Sequence, residues 1–265
     1  AEMTEYSALT STTEDRVAEL RLSRPDVANR FDTTLIRELA DALDKLRDDP
    51  EVLAVVFSSA GKHFSAGGDF AAMLAANRDH QVLMRQVDEG RELFRRFADF
   101  PKPLVVALHG DVFGVGTSLV LTADAVVATP TARLSDPHVC MGLAAGDGGC
   151  VVWPANLPFV RAKRQLLWGD PLTGKDAYEL GLVTELEDTA EQVRERAFQL
   201  AQRVASLPPV AVQLTKRALN KHLHARIDDV FDLGFYLEAI SARTADVVEA
   251  VTAFKEKRKG RWTGA

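Results

Sequence analysis

Two glycine-rich turns are the segments of this sequence whose residue types could most directly do chemistry. The first is Gly61–Asp69 (GKHFSAGGD) and the second is Gly110–Ser118 (GDVFGVGTS), and each follows a short apolar run. Glycine permits backbone angles that leave N–H groups unpaired and pointing outward, and a helix N-terminus adds further unsatisfied donors. Two such turns side by side would aim two N–H groups at one oxygen, which is the arrangement of an oxyanion hole.

The elements that would hold these turns follow a strand–turn–helix pattern. Apolar or alternating runs predict strands at 16–23, 52–58, 104–108 and 125–128. Asp32 or Thr33 is placed to cap one helix, and Asp69 to cap another directly after the first turn. Alternating strands and helices predict an α/β core over residues 1–188. A helical region is predicted over 189–265, in three stretches at 190–206, 208–224 and 228–258.

The composition bounds the class of protein. The chain has 265 residues, of which 46% are hydrophobic and 26% charged, a balance typical of globular domains. A net charge of −6 argues against a general nucleic-acid binder. Two cysteines and the lack of a recognisable leader or long apolar run favour a cytoplasmic protein with reduced thiols and no membrane segment. His222 and His224 are two residues apart and share no helix face, so no metal site is predicted.

Four blocks in order, spanning nearly the whole chain, resemble the crotonase (enoyl-CoA hydratase/isomerase) superfamily. HFSAGGDF is similar to the family's F-x-A-G-x-D block, and KPLVVALHGDVFGVGTSL to its KP-(apolar)-G-x-x-x-G-x-G block. LWGDPLTGKDAYELGLVTEL is similar to the block that ends in GLV, and AFKEKRKGRW to the terminal F-x-E-K-R motif. The resemblance implies a spiral of ββα turns with a C-terminal helical region.

The resemblance also implies a substrate and a site. The substrate would be an acyl-CoA thioester, so that coenzyme A enters as part of the substrate and no cofactor is bound covalently. The oxyanion N–H groups would belong to Gly68 and to Val115, where the family usually has glycine. Ala66, Phe254 and Lys257 would lie near coenzyme A. The helical tail would pack between subunits of a homotrimer or a dimer of trimers.

The departures from the family pattern concern the acid–base groups. Hydratases of the family carry two catalytic glutamates, and by position these are Ser118 and His138 here. A serine is no general base at neutral pH, whereas histidine is one. Asp147 lies nine residues after His138, where other branches of the superfamily place an acid. Glu238 lies in a stretch similar to one that supplies a catalytic glutamate in 6-oxocamphor hydrolase, in a slightly shifted register.

The residues leave several functions open. The leading hypothesis is an acyl-CoA enzyme in which Asp147, with or without His138, moves a proton next to an oxyanion-bound carbonyl. The first alternative is a β-diketone hydrolase in which His138, oriented by Asp147, delivers water and breaks a carbon–carbon bond. Another is Ser118 as a nucleophile activated by His138, and a last one is an acyl-CoA-binding protein with little catalysis. Asp147 as a simple helix cap and His138 as a structural histidine also remain open.

Overall fold

A computed structural model describes residues 6–265, and its main sheet is the frame from which both glycine-rich turns emerge. This sheet has six strands in the order β1-β2-β3-β4-β6-β9. The first pair is antiparallel and all later pairs are parallel. The strands are β1 Leu9–Glu14, β2 Val17–Leu22, β3 Ala54–Ser59, β4 Leu104–Leu108, β6 Ala125–Ala128 and β9 Glu185–Leu186.

A second, three-stranded sheet shows how the chain winds. Its order is β5-β7-β8, formed by Asp111–Phe113, Arg133–Ser135 and Leu172–Thr173. Strand β4 enters the main sheet and β5 the small one, and β6 and β7 repeat this step one turn later. These two turns of the chain each give one strand to each sheet before a helix follows, which confirms the predicted ββα spiral.

Twelve α-helices complete the described part of the chain. They are α1 Thr33–Asp48, α2 Phe70–Arg78, α3 His80–Ala98, α4 Val115–Val120, α5 Gly149–Asn156, α6 Phe159–Trp168, α7 Gly174–Glu179, α8 Ala190–Ala205, α9 Pro209–Leu219, α10 Lys221–Arg226, α11 Asp232–Ser241 and α12 Ala245–Lys255. The predicted caps are confirmed, because Asp32 accepts from the Leu35 N–H and Asp69 from the Ala72 N–H, both at 3.0 Å. No helix within residues 6–265 combines the length and the apolar character that a membrane span requires.

Three predicted boundaries were wrong in detail. Strand β3 starts two residues later than expected, because Val52 and Leu53 are buried in the turn that precedes it. The stretch 208–224 is divided at Asn220 into α9 and α10. The stretch 228–258 is interrupted near 241–244, as expected, but its first residues belong to a π-helical turn at Ile227–Phe231, and α11 begins only at Asp232.

The two faces of the main sheet are covered by different helices. The side chains of Val55 and Phe57 lie on one face. This face packs on α1, α3 and the loops of the spiral. The other face packs on α8, whose residues Val193, Ala197 and Ala201 are fully buried. Both faces of a largely parallel sheet are therefore buried, which explains why its strands read as continuous apolar runs.

The segment that leads into α5 lies unusually close to α11. Gly146 faces the backbone of Gly234, and a Cβ added at residue 146 would overlap the Gly234 carbonyl and lie 2.8 Å from Glu238 Cβ. Because neither backbone has a side chain at the crossing, residues 145–149 and α11 approach more closely than ordinary side chains permit.

Replacing Gly146 by alanine should therefore destabilise the protein by about 1–3 kcal/mol, the usual cost of overpacking a well-filled contact. The free energy of unfolding in urea measures this effect. Gly68→Ala is the matched control, because a Cβ at residue 68 would meet nothing within 4 Å. Equal stability of the two variants would contradict the close approach of α11.

Candidate active site

The two glycine-rich turns are joined to each other by backbone hydrogen bonds. The Ser65 N–H donates to the Asp111 carbonyl at 3.0 Å, and the Phe113 N–H donates to the Ser65 carbonyl at 3.1 Å. Gly67 has φ +88°, and a Cβ there would lie 2.9 Å from the Phe113 carbonyl oxygen. Glycine is thus required where the first turn crosses the second.

This crossing brings the expected oxyanion donors to one cavity. Gly68 and Val115 both line a cavity of about 160 Å³. Val115 is the first residue of α4, after Gly114 with φ +56°, so its N–H has no partner inside the helix. Within residues 6–265 neither of the two N–H groups has a hydrogen-bond acceptor. Two free donors on the wall of one cavity can stabilise a developing oxyanion.

A chain of three ionisable side chains lies beside these donors. His138, on the 3-10 turn between β7 and α5, has Nδ1 against Asp136 Oδ1 and Nε2 at 3.1 Å from Asp147 Oδ2. The Asp136 side chain is fully buried, whereas those of His138 and Asp147 are 10% and 15% exposed. Asp147 lines the cavity and His138 stands behind it, so of these three side chains only that of Asp147 faces the cavity.

The charge of His138 follows from this placement. Burial lowers the pKa of the imidazole, but the carboxylates of Asp147 and Asp136 raise it by more, so that the pKa lies well above its usual value of 6.5. The two carboxylates therefore favour the charged imidazolium form of His138. An imidazolium held between two carboxylates orients Asp147 and supports its negative charge, and it is not itself a base.

Glu238 enters the same cavity from α11. Its Oε1 lies 3.9 Å from His138 Nε2, and its buried Oε2 has no hydrogen-bond partner in the described structure. Burial, followed by the negative charge of Asp147, raises the pKa of Glu238 to about 8. Glu238 thus carries its proton at neutral pH, which makes it a candidate acid opposite a candidate base.

Two expected alternatives for these residues are not supported by the geometry. Asp147 does not cap α5, because the N-cap residue is Gly148 and its cap has no side-chain hydrogen bond. Ser118 on α4 donates to Asp147 Oδ1 at 3.5 Å, so the carboxylate of Asp147 stands between Ser118 and His138. A nucleophile must contact its base directly, and the interpretation of Ser118 as a nucleophile activated by His138 is therefore withdrawn.

The same cluster is close enough to be considered as a metal site. The ligand atoms of Asp136, His138 and Asp147 lie within 4.8 Å of one another. However, the two carboxylates face different nitrogens of one imidazole ring. Both nitrogens cannot point to one ion, so the arrangement fits a hydrogen-bonded chain better than a shared metal.

The residues expected near coenzyme A lie around the first turn and the last helix. Ala66 is exposed within the first turn, and its N–H donates to the Ala28 carbonyl at 2.9 Å. Phe254 on α12 is 64% exposed and stacks edge-on against Phe70, the first residue of α2, with ring centroids 5.0 Å apart. Lys257 follows the end of α12 with φ +53°. The tail is thus held against the helix that starts at the oxyanion turn.

Asp136 is the one member of the cluster that the sequence analysis missed. The signal was available, because Asp136 and His138 flank a single proline. The side chain is buried because Gly149 leaves space for it, since a Cβ at residue 149 would overlap Asp136 Oδ2.

Substituting Asp136 by asparagine should lower the pKa of His138, because one of the two carboxylates that stabilise the imidazolium loses its charge. The pH titration of the His138 ring signals by NMR measures this shift. Asp170→Asn, at an exposed residue paired with Arg164, should leave the titration unchanged. An identical titration in the wild type and in Asp136→Asn would contradict the geometry of the chain.

Comparison with known proteins identifies the family. The model of the enoyl-CoA hydratase/isomerase family matches residues 12–265. A short-chain enoyl-CoA hydratase of Clostridium acetobutylicum is 31% identical, covering 93% of this chain and 94% of the relative. An enoyl-CoA hydratase/isomerase of Mycobacterium paratuberculosis has a similar structure, with TM-score 0.89, 33% identity and 94% and 99% of the two chains covered. A β-diketone hydrolase of the cyanobacterium Anabaena, solved with (S)-3-oxocyclohexyl acetic acid, follows at TM-score 0.83 and 26% identity, covering 90% and 95%. The chain belongs to the enoyl-CoA hydratase/isomerase family, that is, to the crotonase superfamily.

Proposed function

We propose that this enzyme binds an acyl-CoA thioester and adds water to, or isomerises, its double bond with Asp147 and Glu238 as the acid–base pair. The observation that carries the proposal is that these two carboxyl groups line the same cavity as the free N–H groups of Gly68 and Val115. The family's two usual glutamates are absent, and two carboxyl groups from other positions of the chain occupy one cavity instead.

The steps follow from the positions of the groups. The thioester carbonyl accepts hydrogen bonds from Gly68 and Val115, which stabilises negative charge on its oxygen. Asp147 removes a proton from water as the water oxygen forms a bond to the β-carbon, and an enolate results. Glu238 then donates its proton to the α-carbon, and the carbonyl is restored. In an isomerisation, one of these carboxyl groups would remove a proton from the substrate and return it at a different carbon.

The different surroundings of the two carboxyl groups support these roles. Glu238 is protonated up to about pH 8, while Asp147 faces an imidazolium ion at 3.1 Å. Two carboxyl groups whose surroundings differ in this way are the usual arrangement for an acid and a base. His138 is a positioning residue in this scheme, because it acts through Asp147.

The expected homotrimer or dimer of trimers remains a proposal that exposed apolar residues support. On α9 and α11 several large apolar side chains are more than half exposed, among them Val210, Leu214, Leu233 and Ile240. A row of such residues on helices is typical of a surface that packs against another copy of the chain.

Asp147→Asn should reduce the hydration of crotonyl-CoA by at least about 100-fold, because a positioned general base contributes about two to four orders of magnitude. The loss of absorbance of the enoyl thioester measures the rate, and Asp170→Asn is the control at an exposed aspartate.

The wild-type rate should also fall as the pH rises through about 8, when Glu238 loses its proton. In Glu238→Gln that decline should vanish together with most of the activity. Full activity in both variants would refute the assignment.

A second candidate function is the hydrolysis of a β-diketone. The observation that favours it is His138 held between two carboxylates, together with the similarity to the Anabaena β-diketone hydrolase. Here His138 would take a proton from water as the water oxygen attacks a ketone. The carbon–carbon bond would then break, and the enolate leaving group would be held by Gly68 and Val115. This mechanism needs a neutral imidazole, and the raised pKa of His138 disfavours it at neutral pH.

Turnover of a cyclic 1,3-diketone tests this candidate. If it operates, the rate should rise with pH as His138 loses its proton, and it should be lost in His138→Ala but persist in Ser118→Ala. Release of an acid during turnover can be followed in a weakly buffered solution. If the wild type turns over none of a panel of cyclic diketones, this second candidate is rejected in favour of the acyl-CoA mechanism.

A further inference from the structure

We infer that the active-site cavity selects a compact, uncharged acyl group, and that Phe235 sets the greatest chain length it accepts. This inference rests on the proposed function, because it takes the substrate carbonyl to lie between Gly68 and Val115. The acyl group must then extend into the remainder of the cavity, which is walled by α1, α2, α3, α11 and α12.

The charges around the cavity disfavour an acyl-CoA whose acyl chain ends in a carboxylate. Its lining includes five carboxyl groups and, among the described residues, no lysine, arginine or histidine. Three of these carboxyl groups form ion pairs with arginines that do not line the cavity. Asp32 pairs with Arg24, Asp69 with Arg30 and Glu89 with Arg37. An acyl chain that ends in a carboxylate would bring a further negative charge into the cavity with no cation to receive it, which is costly in a partly buried site.

The remaining lining is mostly apolar, with Thr33 and Gln86 as its other polar side chains. Side chains such as Met73, Leu83 and Val87 face the cavity from α2 and α3, and Ala239 faces it from α11. The volume of about 160 Å³ leaves room for a small group only. A compact apolar group would therefore gain the full benefit of burial, whereas a long chain would have to displace side chains of the wall.

Phe235 closes the cavity on the side of α11. Its ring is 4% exposed, and it lies over Gly90 of α3, where a Cβ would be 3.1 Å from its Cε1 atom. The ring is also held edge-on against Phe231, with centroids 5.0 Å apart. Phe235 precedes Glu238 by three residues and so shares its helix face. The aromatic ring and the catalytic carboxyl therefore reach the cavity from adjacent turns of one helix.

This geometry predicts how affinity depends on chain length. While a chain still fits, each additional buried methylene should tighten binding about fourfold, which corresponds to about 0.8 kcal/mol. The gain should stop where the chain meets Phe235. Shortening residue 235 should move that limit to longer chains, while shortening Phe231, which supports the ring without lining the cavity, should not.

Titration calorimetry with saturated acyl-CoAs, which cannot be hydrated, tests both parts of the inference without requiring turnover. The first series is butyryl-, hexanoyl-, octanoyl- and decanoyl-CoA against the wild type, Phe235→Leu and Phe235→Ala, with Phe231→Leu as the matched control. The second is pentanoyl-CoA against glutaryl-CoA, which has the same number of carbons and a terminal carboxylate. The leucine variant retains most of the ring's volume and protects the test against loss of folding in the alanine variant.

We expect affinity to rise and then fall within the wild-type series, and decanoyl-CoA to bind about tenfold more tightly to Phe235→Leu than to the wild type. Glutaryl-CoA should bind at least about tenfold more weakly than pentanoyl-CoA. A steady rise up to decanoyl-CoA in the wild type, or equal shifts in Phe235→Leu and Phe231→Leu, would overturn the role of Phe235. Equal binding of glutaryl- and pentanoyl-CoA would overturn the charge selection. If no acyl-CoA binds at all, the proposed function itself fails, and this inference fails with it.

Discussion

The pairing of the two glycine-rich turns is the constraint on which the rest of the site depends. The backbone of Ser65 is hydrogen-bonded to Asp111 and Phe113, the two neighbours of Val112. Gly67 crosses directly over Phe113. Asn29, only 1% exposed, reinforces this arrangement, because its side chain donates to the carbonyls of Ala60 and His63 at 2.9 and 3.2 Å. Backbone groups held in this way cannot turn to other partners, so the two N–H groups that face the cavity are fixed before any ligand arrives.

The ionisable groups of the site form an alternating series of charges. A buried carboxylate at Asp136 is followed by the imidazolium of His138 and the carboxylate of Asp147, and then by the neutral carboxyl of Glu238. Buried charges are tolerated only when each has a partner. The imidazolium of His138 already pairs with the carboxylates of Asp136 and Asp147. A negative charge on Glu238 would therefore be unpaired, and Glu238 remains protonated. The proposed division of roles between Asp147 and Glu238 follows from this balance of charge.

The sequence predicted the parts of the site that local patterns control, and it was silent where distant residues meet. The glycine-rich turns, the caps at Asp32 and Asp69 and the spiral fold follow from strand–turn–helix patterns and from the family resemblance. The meeting of Glu238 with Asp147 depends on the crossing of Gly146 and Gly234, which no local pattern records. Asp136 was overlooked because an aspartate before a proline is common in turns, and only the fold shows that it is buried against His138.

Small residues around Ser118 determine which acidic side chain fits beside the two glycine-rich turns. Ser118 is fully buried, and its hydroxyl contacts the Asp147 carboxylate. Gly148 lies against the same residue, since a Cβ there would be 3.2 Å from Ser118 Cβ. A glutamate at position 118 would need the space that Asp147 and Gly148 now fill. The packing around Ser118 therefore accommodates a carboxyl group from position 147 and not a glutamate at position 118. In the proposed mechanism the two glycine-rich turns fix where the carbonyl oxygen binds, and the packing around Ser118 determines which side chain can reach the reacting carbon.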